Sequence, residues 1–244
     1  MNAVTTFLYG YYPYICLTVF VAGSLIRFDR DQYTWKSDSS QLLSGRGMRV
    51  ASNCFHIGIL FLLFGHTVGL LTPHWLYEHF ITAPQKQMLA IVSGGLAGSL
   101  CFIGLTMLLH RRLTDPRVRA TSKPMDIAIL AILWVQLVLG LVTLPFSYHH
   151  SDGSVMLQLS EWVQRIVTFR AGAVDSLTGV PLVYMLHLLL GMTIFLLFPF
   201  SRLVHVWSGF AALSYLARPY QVVRARRLNV PAGQTLPRSA GSGD

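Results

Sequence analysis

Charge is scarce in this chain. Only 12% of its 244 residues are Asp, Glu, Lys or Arg, against about 25% in an ordinary soluble domain. That excludes a disordered chain and argues against a soluble enzyme. Acid is scarcer still, with ten Asp and Glu against nineteen Lys and Arg. Cysteine is nearly absent: Cys16, Cys54 and Cys101 lie singly inside apolar runs. Neither a disulfide framework nor a thiolate metal site is expected from them, and they read as small core residues. What abounds is apolar, 53% of the chain, gathered in runs separated by basic patches. The bilayer is the solvent such a pattern suits.

A membrane-crossing helix takes about 20 predominantly apolar residues. Five stretches qualify, roughly 4–26, 51–71, 88–109, 126–147 and 181–204. The expected fold is therefore an all-α membrane protein of five transmembrane helices, one domain over 1–227. A small, polar, flexible tail follows over 228–244. The first run is too long and too aromatic for a signal peptide, and no basic leader precedes it.

Orientation follows from the basic residues. Arg27, Arg30, Lys36, Arg46 and Arg49 follow the first run, and Arg111, Arg112, Arg117, Arg119 and Lys123 follow the third. Arg202, Arg218, Arg224, Arg226, Arg227 and Arg238 lie beyond the last, all on one side of a five-span chain. Only Lys86, Arg165 and Arg170 fall on the other. The positive-inside rule then puts the N-terminus outside, in the periplasm, and the C-terminus in the cytoplasm. The localisation expected is multi-pass in a bacterial cytoplasmic (inner) membrane. A nucleic-acid partner would need the same charges on one water-exposed face with aromatics interleaved, so membrane lipid and not nucleic acid is expected.

Smaller features fit this frame. Tyr9, Tyr11, Tyr12, Trp75, Tyr77 and Trp162 read as interfacial aromatics. Ser122 offers an N-cap to the fourth span ahead of Pro124. Over about 155–170, Val155, Leu159, Trp162, Val163 and Ile166 make one apolar stripe of a surface helix.

Nine histidines are the main chemical clue, because an ionisable group inside hydrocarbon is costly and usually functional. His74, His79, His110, His149 and His150 sit outside or at the ends of the runs and read as solvated. His56 and His66 lie within the second run, His187 within the fifth and His205 at its inner end. Antiparallel helices then pair His66 with His187 near the outer face and His56 with His205 near the inner face. The two spacings disagree: ten residues span about 15 Å of helix and eighteen about 27 Å. Tilt and a bend at Pro199 would have to absorb the difference. Gly58, Gly65 and Gly69 share a face where a macrocycle or another helix could approach. Two bis-histidine haems b fit the pattern, and so do interhelical hydrogen bonds or the proton path of a transporter. A zinc or copper site would want more ligands at one depth.

The residues around these histidines resemble a family. Tyr12-Pro13-Tyr14, Gln32-Tyr33-Thr34-Trp35, Phe55-His56-Ile57-Gly58, Gly65-His66, Leu71-Thr72-Pro73-His74-Trp75, Pro116-Arg117-Val118-Arg119-Ala120-Thr121 and Leu186-His187-Leu188 carry the likeness. The most specific run extends from Leu190-Gly191-Met192-Thr193 through Phe198-Pro199-Phe200-Ser201-Arg202-Leu203 to His205-Val206-Trp207-Ser208. Over about residues 5–227 the chain resembles the gamma subunit of respiratory nitrate reductase, a membrane cytochrome b that oxidises quinol.

That resemblance implies His66 and His187 as axial ligands of an outer haem b and His56 and His205 of an inner one. It implies a quinol pocket at Lys86, Gly65, His66 and Gly69, taking menaquinol or ubiquinol, with Lys86 and His66 as the catalytic pair. Gln85, Gln87 and His74 are its weaker neighbours. It further implies an iron–sulfur beta subunit and a molybdenum-containing alpha subunit on the cytoplasmic side, the whole being a quinol:nitrate oxidoreductase. Two other readings stay open from residues alone: a cytochrome b subunit of a formate dehydrogenase or hydrogenase, and a haem-free transporter.

Overall fold

The computed structural model describes residues 2–31, 34–35, 43 and 47–208. The expected tail over 228–244, and the basic residues Lys36, Arg46 and those from Arg218 onward, lie outside the described residues. All regular structure in the described part is helical. Five helical segments are long and apolar enough to cross a membrane: α1 (Ala3–Arg30), α2 (Met48–Leu71), α3 (Ala83–Thr114), α4 (Pro124–His149) and, after α5 (Ser154–Val167), the segment Leu182–Phe200, which is α6 (Leu182–Leu197) with the 3-10 turn that follows it. The first four spans agree with their apolar runs but overrun them with polar ends, since hydropathy marks the hydrocarbon-facing stretch and capping decides where a helix stops, whereas the fifth ends short of its run.

α3 shows this. It begins five residues before the apolar run because Thr82 and Gln85 form a capping box, with the Thr82 hydroxyl accepting from the Gln85 N–H and Gln85 Oε1 accepting from the Thr82 N–H at 2.9 Å. For α4 the expected cap is corrected. Ser122 donates to the Val118 carbonyl and accepts from Arg112, while Asp126 Oδ2 accepts the Lys123 N–H. The carboxylate serves because it also meets the buried Arg112 guanidinium at 3.5 Å.

The helices pack in the order α2, α3, α4, α6, α1, and α5 lies against α2. The α2–α3 crossing is tightest around Gly58 and Gly104. A Cβ on Gly104 would run into the Phe55 nitrogen, and one on Gly58 would stand 2.6 Å from Cys101 Cβ. Cys101 is buried there and all three cysteines are free.

α1 is irregular for a reason its sequence states. Pro13 has no N–H to give the Tyr9 carbonyl, and the chain makes a π turn over Phe7–Tyr11. The indole N–H of Trp162, on α5, donates to that carbonyl at 2.9 Å. Trp162 is 1% exposed, so it is a core residue and not the interfacial anchor expected. Tyr77 is likewise buried, whereas Trp75 is exposed. The stripe expected on α5 holds: Trp162 and Ile166 centre a cluster with Tyr9, Ala173 and Leu177, against which Leu159 and Val163 pack.

Candidate functional site

α2 and α6 have different principal neighbours, and the histidines meet between them. His66 and His187 stand with ring centres 6.2 Å apart, and His56 and His205 with ring centres 6.5 Å apart. The pairing expected from orientation is the one present.

The disputed spacing resolves because the fifth span is not one helix as far as His205. α6 ends at Leu197, ten residues after His187, which is about 15 Å and equals the rise from His56 to His66. Pro199 cannot donate to the Phe195 carbonyl, so the Phe198 N–H takes it in a tighter turn. Two 3-10 turns follow, Phe198–Phe200 and Arg202–Val204, hinged on extended Ser201. His205 therefore lies beyond the helix and not at its inner end, which corrects the 27 Å expectation.

Arg27 fastens this corner. One guanidinium nitrogen donates to the carbonyls of Pro199 (2.6 Å) and Ser201 (2.8 Å), and the others reach the Thr34 hydroxyl and carbonyl. Sequence reasoning saw in Arg27 only a topology charge. Phe20 adds edge contacts to Phe195 and Phe198.

Three of the four rings are oriented by backbone. Nδ1 of His56 lies 2.7 Å from the Ser52 carbonyl, that of His66 2.7 Å from the Leu62 carbonyl and that of His205 2.6 Å from the Arg202 carbonyl. A carbonyl only accepts, so each Nδ1 carries the proton and each Nε2 keeps a lone pair for a metal. Two imidazoles on opposite sides of one metal, each bonded at about 2 Å, have ring centres roughly 6 Å apart. Both pairs fit that arrangement. Among the described residues no three His, Cys, Asp or Glu converge as a metal-binding group. Paired imidazoles suit haem iron better than a three- or four-ligand zinc site.

The glycines divide. Gly58 serves helix packing, but a Cβ on Gly65 or Gly69 would meet no atom within 4 Å. On α4, a Cβ on Gly140 would stand 3.0 Å from Cε1 of His187.

Lys86 lies in the first turn of α3 and is buried. Its ammonium sits 3.7 Å from the centre of the Tyr77 ring and has no hydrogen-bond partner among the described residues. A desolvated ammonium with three donors and only a π face nearby retains its capacity to bind an oxygen. Its expected neighbours have other tasks. Gln85 caps α3, Gln87 donates to the Ser147 and His150 carbonyls at the end of α4, and His74 faces Glu78 at 3.5 Å.

One residue escaped sequence reasoning altogether. Gln136, the only side-chain amide of α4, donates to the His187 carbonyl at 3.1 Å, and its amide nitrogen lies 3.4 Å from Nε2 of the His187 ring. A lone amide amid apolar residues in a spanning helix is a usable signal.

Five helices long and apolar enough to cross a membrane, with histidines paired at two levels, define a multi-pass membrane protein. The chain belongs to the nitrate reductase gamma subunit family, whose profile matches residues 5–226. It is 56% identical over 224 residues to the respiratory nitrate reductase 2 gamma chain of Escherichia coli K12, covering 92% of this chain and 98% of that one. To the respiratory nitrate reductase 1 gamma chain of the same organism it is 53% identical over 226 residues, covering 93% and 100%. The nitrate reductase gamma chain of Bacillus subtilis 168 is 36% identical over 220 residues, covering 90% and 97%.

Proposed function

We propose that this chain is the membrane anchor and dihaem cytochrome b subunit of a quinol:nitrate oxidoreductase in a bacterial cytoplasmic membrane. Its N-terminus is outside and its C-terminus cytoplasmic. His66 and His187 hold the outer haem b, and His56 and His205 the inner. When bound, the two haems supply a path for single electrons across the bilayer.

This chain's own residues do the rest. Lys86, desolvated over Tyr77, donates to a quinol oxygen. Gly65 and Gly69 leave room for the quinol ring, and His66 borders it. Oxidation of one quinol, menaquinol or ubiquinol, to quinone releases two protons outside. Two electrons pass inward to an iron–sulfur beta subunit and on to a molybdenum-containing alpha subunit that reduces nitrate.

The observation that carries this reading is the pair of ring separations, 6.2 and 6.5 Å, at two levels of the same two chain segments. The family supports the acceptor. The test is a reduced-minus-oxidised spectrum of membranes carrying this chain with its partner subunits, reduced by a quinol analogue and then exposed to nitrate. Haem b bands that form with quinol and vanish with nitrate are expected. Bands that nitrate leaves unchanged would assign another acceptor, and absent bands would remove the haem assignment.

A further inference from the structure

Among the four candidate ligands, His187 is the exception. The other three each place Nδ1 on a backbone carbonyl of their own segment. Nδ1 of His187 is buried and has no hydrogen-bond partner among the described residues. A metal-bound imidazole nearly always donates its second N–H to an oxygen, which fixes the tautomer and ring orientation and raises the ligand's basicity. Close by, Oε1 of Gln136 is also buried and also lacks a partner. The Gln136 amide is tethered to the same residue through the 3.1 Å bond to the His187 carbonyl, and its nitrogen lies 3.4 Å from Nε2 of the ring, so here it faces the lone pair that a metal would take and leaves Nδ1 without an acceptor. On the side of Gly140 only a hydrogen fits, a Cβ there standing 3.0 Å from the ring.

We propose that Gln136 is the positioning residue of His187: its side-chain carbonyl accepts the Nδ1–H of the ring, supplying from α4 what the backbone supplies to the other three histidines. This rests on the assignment of His187 as a haem ligand. Two buried orphans, one a donor and one an acceptor, are each costly alone, and pairing them satisfies both. The terminal torsions of an amide and of an imidazole are soft, so the pair forms without moving a helix. In this arrangement the amide N–H stays on the His187 carbonyl but gives up its 3.4 Å approach to Nε2, which frees that lone pair for the metal. The outer site thereby differs from the inner in kind, since a side chain of a neighbouring helix tunes it and substitution can reach it.

The test uses the complete complex in membranes, comparing the parent with Gln136→Leu and Gln136→Glu. The readouts are haem per chain and the midpoint potential and low-spin electron paramagnetic signature of each haem. With Leu, removal of the acceptor is expected to weaken outer haem retention about 10- to 100-fold, and any retained outer haem titrates at higher potential with a changed signature. With Glu, the haem is retained and its potential moves the opposite way, because a carboxylate is the stronger acceptor. The inner haem is unchanged in both. If the parent holds two haems and neither variant alters the outer one, or if both shift it in the same direction, Gln136 does not position His187. A parent without haem would overturn the ligand assignment itself, and this inference with it.

Discussion

The two histidine levels of this protein are built differently. At the His56 end, α2 and α3 cross with backbone nearly on backbone at Gly58 and Gly104. His205 arrives there after a broken helix whose carbonyls Arg27 holds, and both rings take their orientation from main chain. At the His66 end Gly65 and Gly69 meet nothing, His187 lies on unbroken helix, and a glutamine from a third element reaches its carbonyl and its ring. A buried lysine beside a tyrosine face belongs to the first turn of α3. One level is closed and fixed by backbone, while the other has open ground and adjustable side chains. On the function proposed above, the first kind of site suits a relay point and the second a site that admits and releases a substrate.

The sharpest way to break this contrast is at the glycines. We predict that Gly104→Leu abolishes accumulation of folded protein and that Gly104→Ala costs about 3 kcal/mol or more, because the added carbon would meet the Phe55 backbone. Gly65→Ala is predicted to change stability by less than about 0.5 kcal/mol. Thermal unfolding in detergent decides, and equal losses at both positions would erase the distinction.

Next come the ligands. His66→Ala or His187→Ala is predicted to halve haem per chain and stop quinol oxidation, leaving the inner haem. His56→Ala should remove the inner haem and leave the outer reducible by quinol. A haemochrome assay with quinol-driven reduction reads both. Lys86→Ala should keep both haems yet slow quinol-driven reduction about 10- to 100-fold, the worth of a hydrogen bond to a charged group, about 1.5–3 kcal/mol. Unchanged kinetics would return Lys86 to a structural role on Tyr77.

Arg27→Gln should cost about 1–3 kcal/mol, through carbonyls of Pro199 and Ser201 left without their donor, and should loosen the inner haem selectively. Haem retention after dilution in detergent tests this. The smallest effect concerns Asp152, whose carboxyl is held below its ordinary range by the hydroxyl and N–H of Ser154 at the start of α5. A depressed carboxyl stabilises the fold above its unfolded value and loses that contribution as pH falls through the folded one. Hydrogen exchange in the first turn of α5 should therefore rise only on acidification below the ordinary carboxylate range, and Asp152→Asn should remove that dependence.

The spans and the histidine pairing were legible in the sequence, because bilayer thickness sets run length and alternating direction sets which histidine can face which. The break after Leu197 was not. Pro199 marked the place, but whether a proline bends a helix or ends it depends on what receives the freed carbonyls, here an arginine about 170 positions away. Trp162 and Tyr77 were misplaced for a related reason. Interfacial and buried aromatics have the same composition, and only a partner such as the Tyr9 carbonyl or the Lys86 ammonium distinguishes them. Gln85 and Gln87, read as weaker neighbours of Lys86, have amides that hold helix ends, a use the sequence did not show. Gln136 was readable as an isolated amide in an apolar helix, but its meaning required knowing that α4 lies beside α6.

The π turn of α1 has a consequence in time. The Tyr9 carbonyl finds its donor at Trp162 and the Tyr9 hydroxyl its acceptor at Met185, 153 and 176 residues further along. Synthesis delivers those partners only after three more spans, so the helix that emerges first is the last to complete its hydrogen bonds. Closing the bundle and finishing the first helix are one event, and a nascent chain halted before residue 162 holds a membrane span that nothing yet fastens.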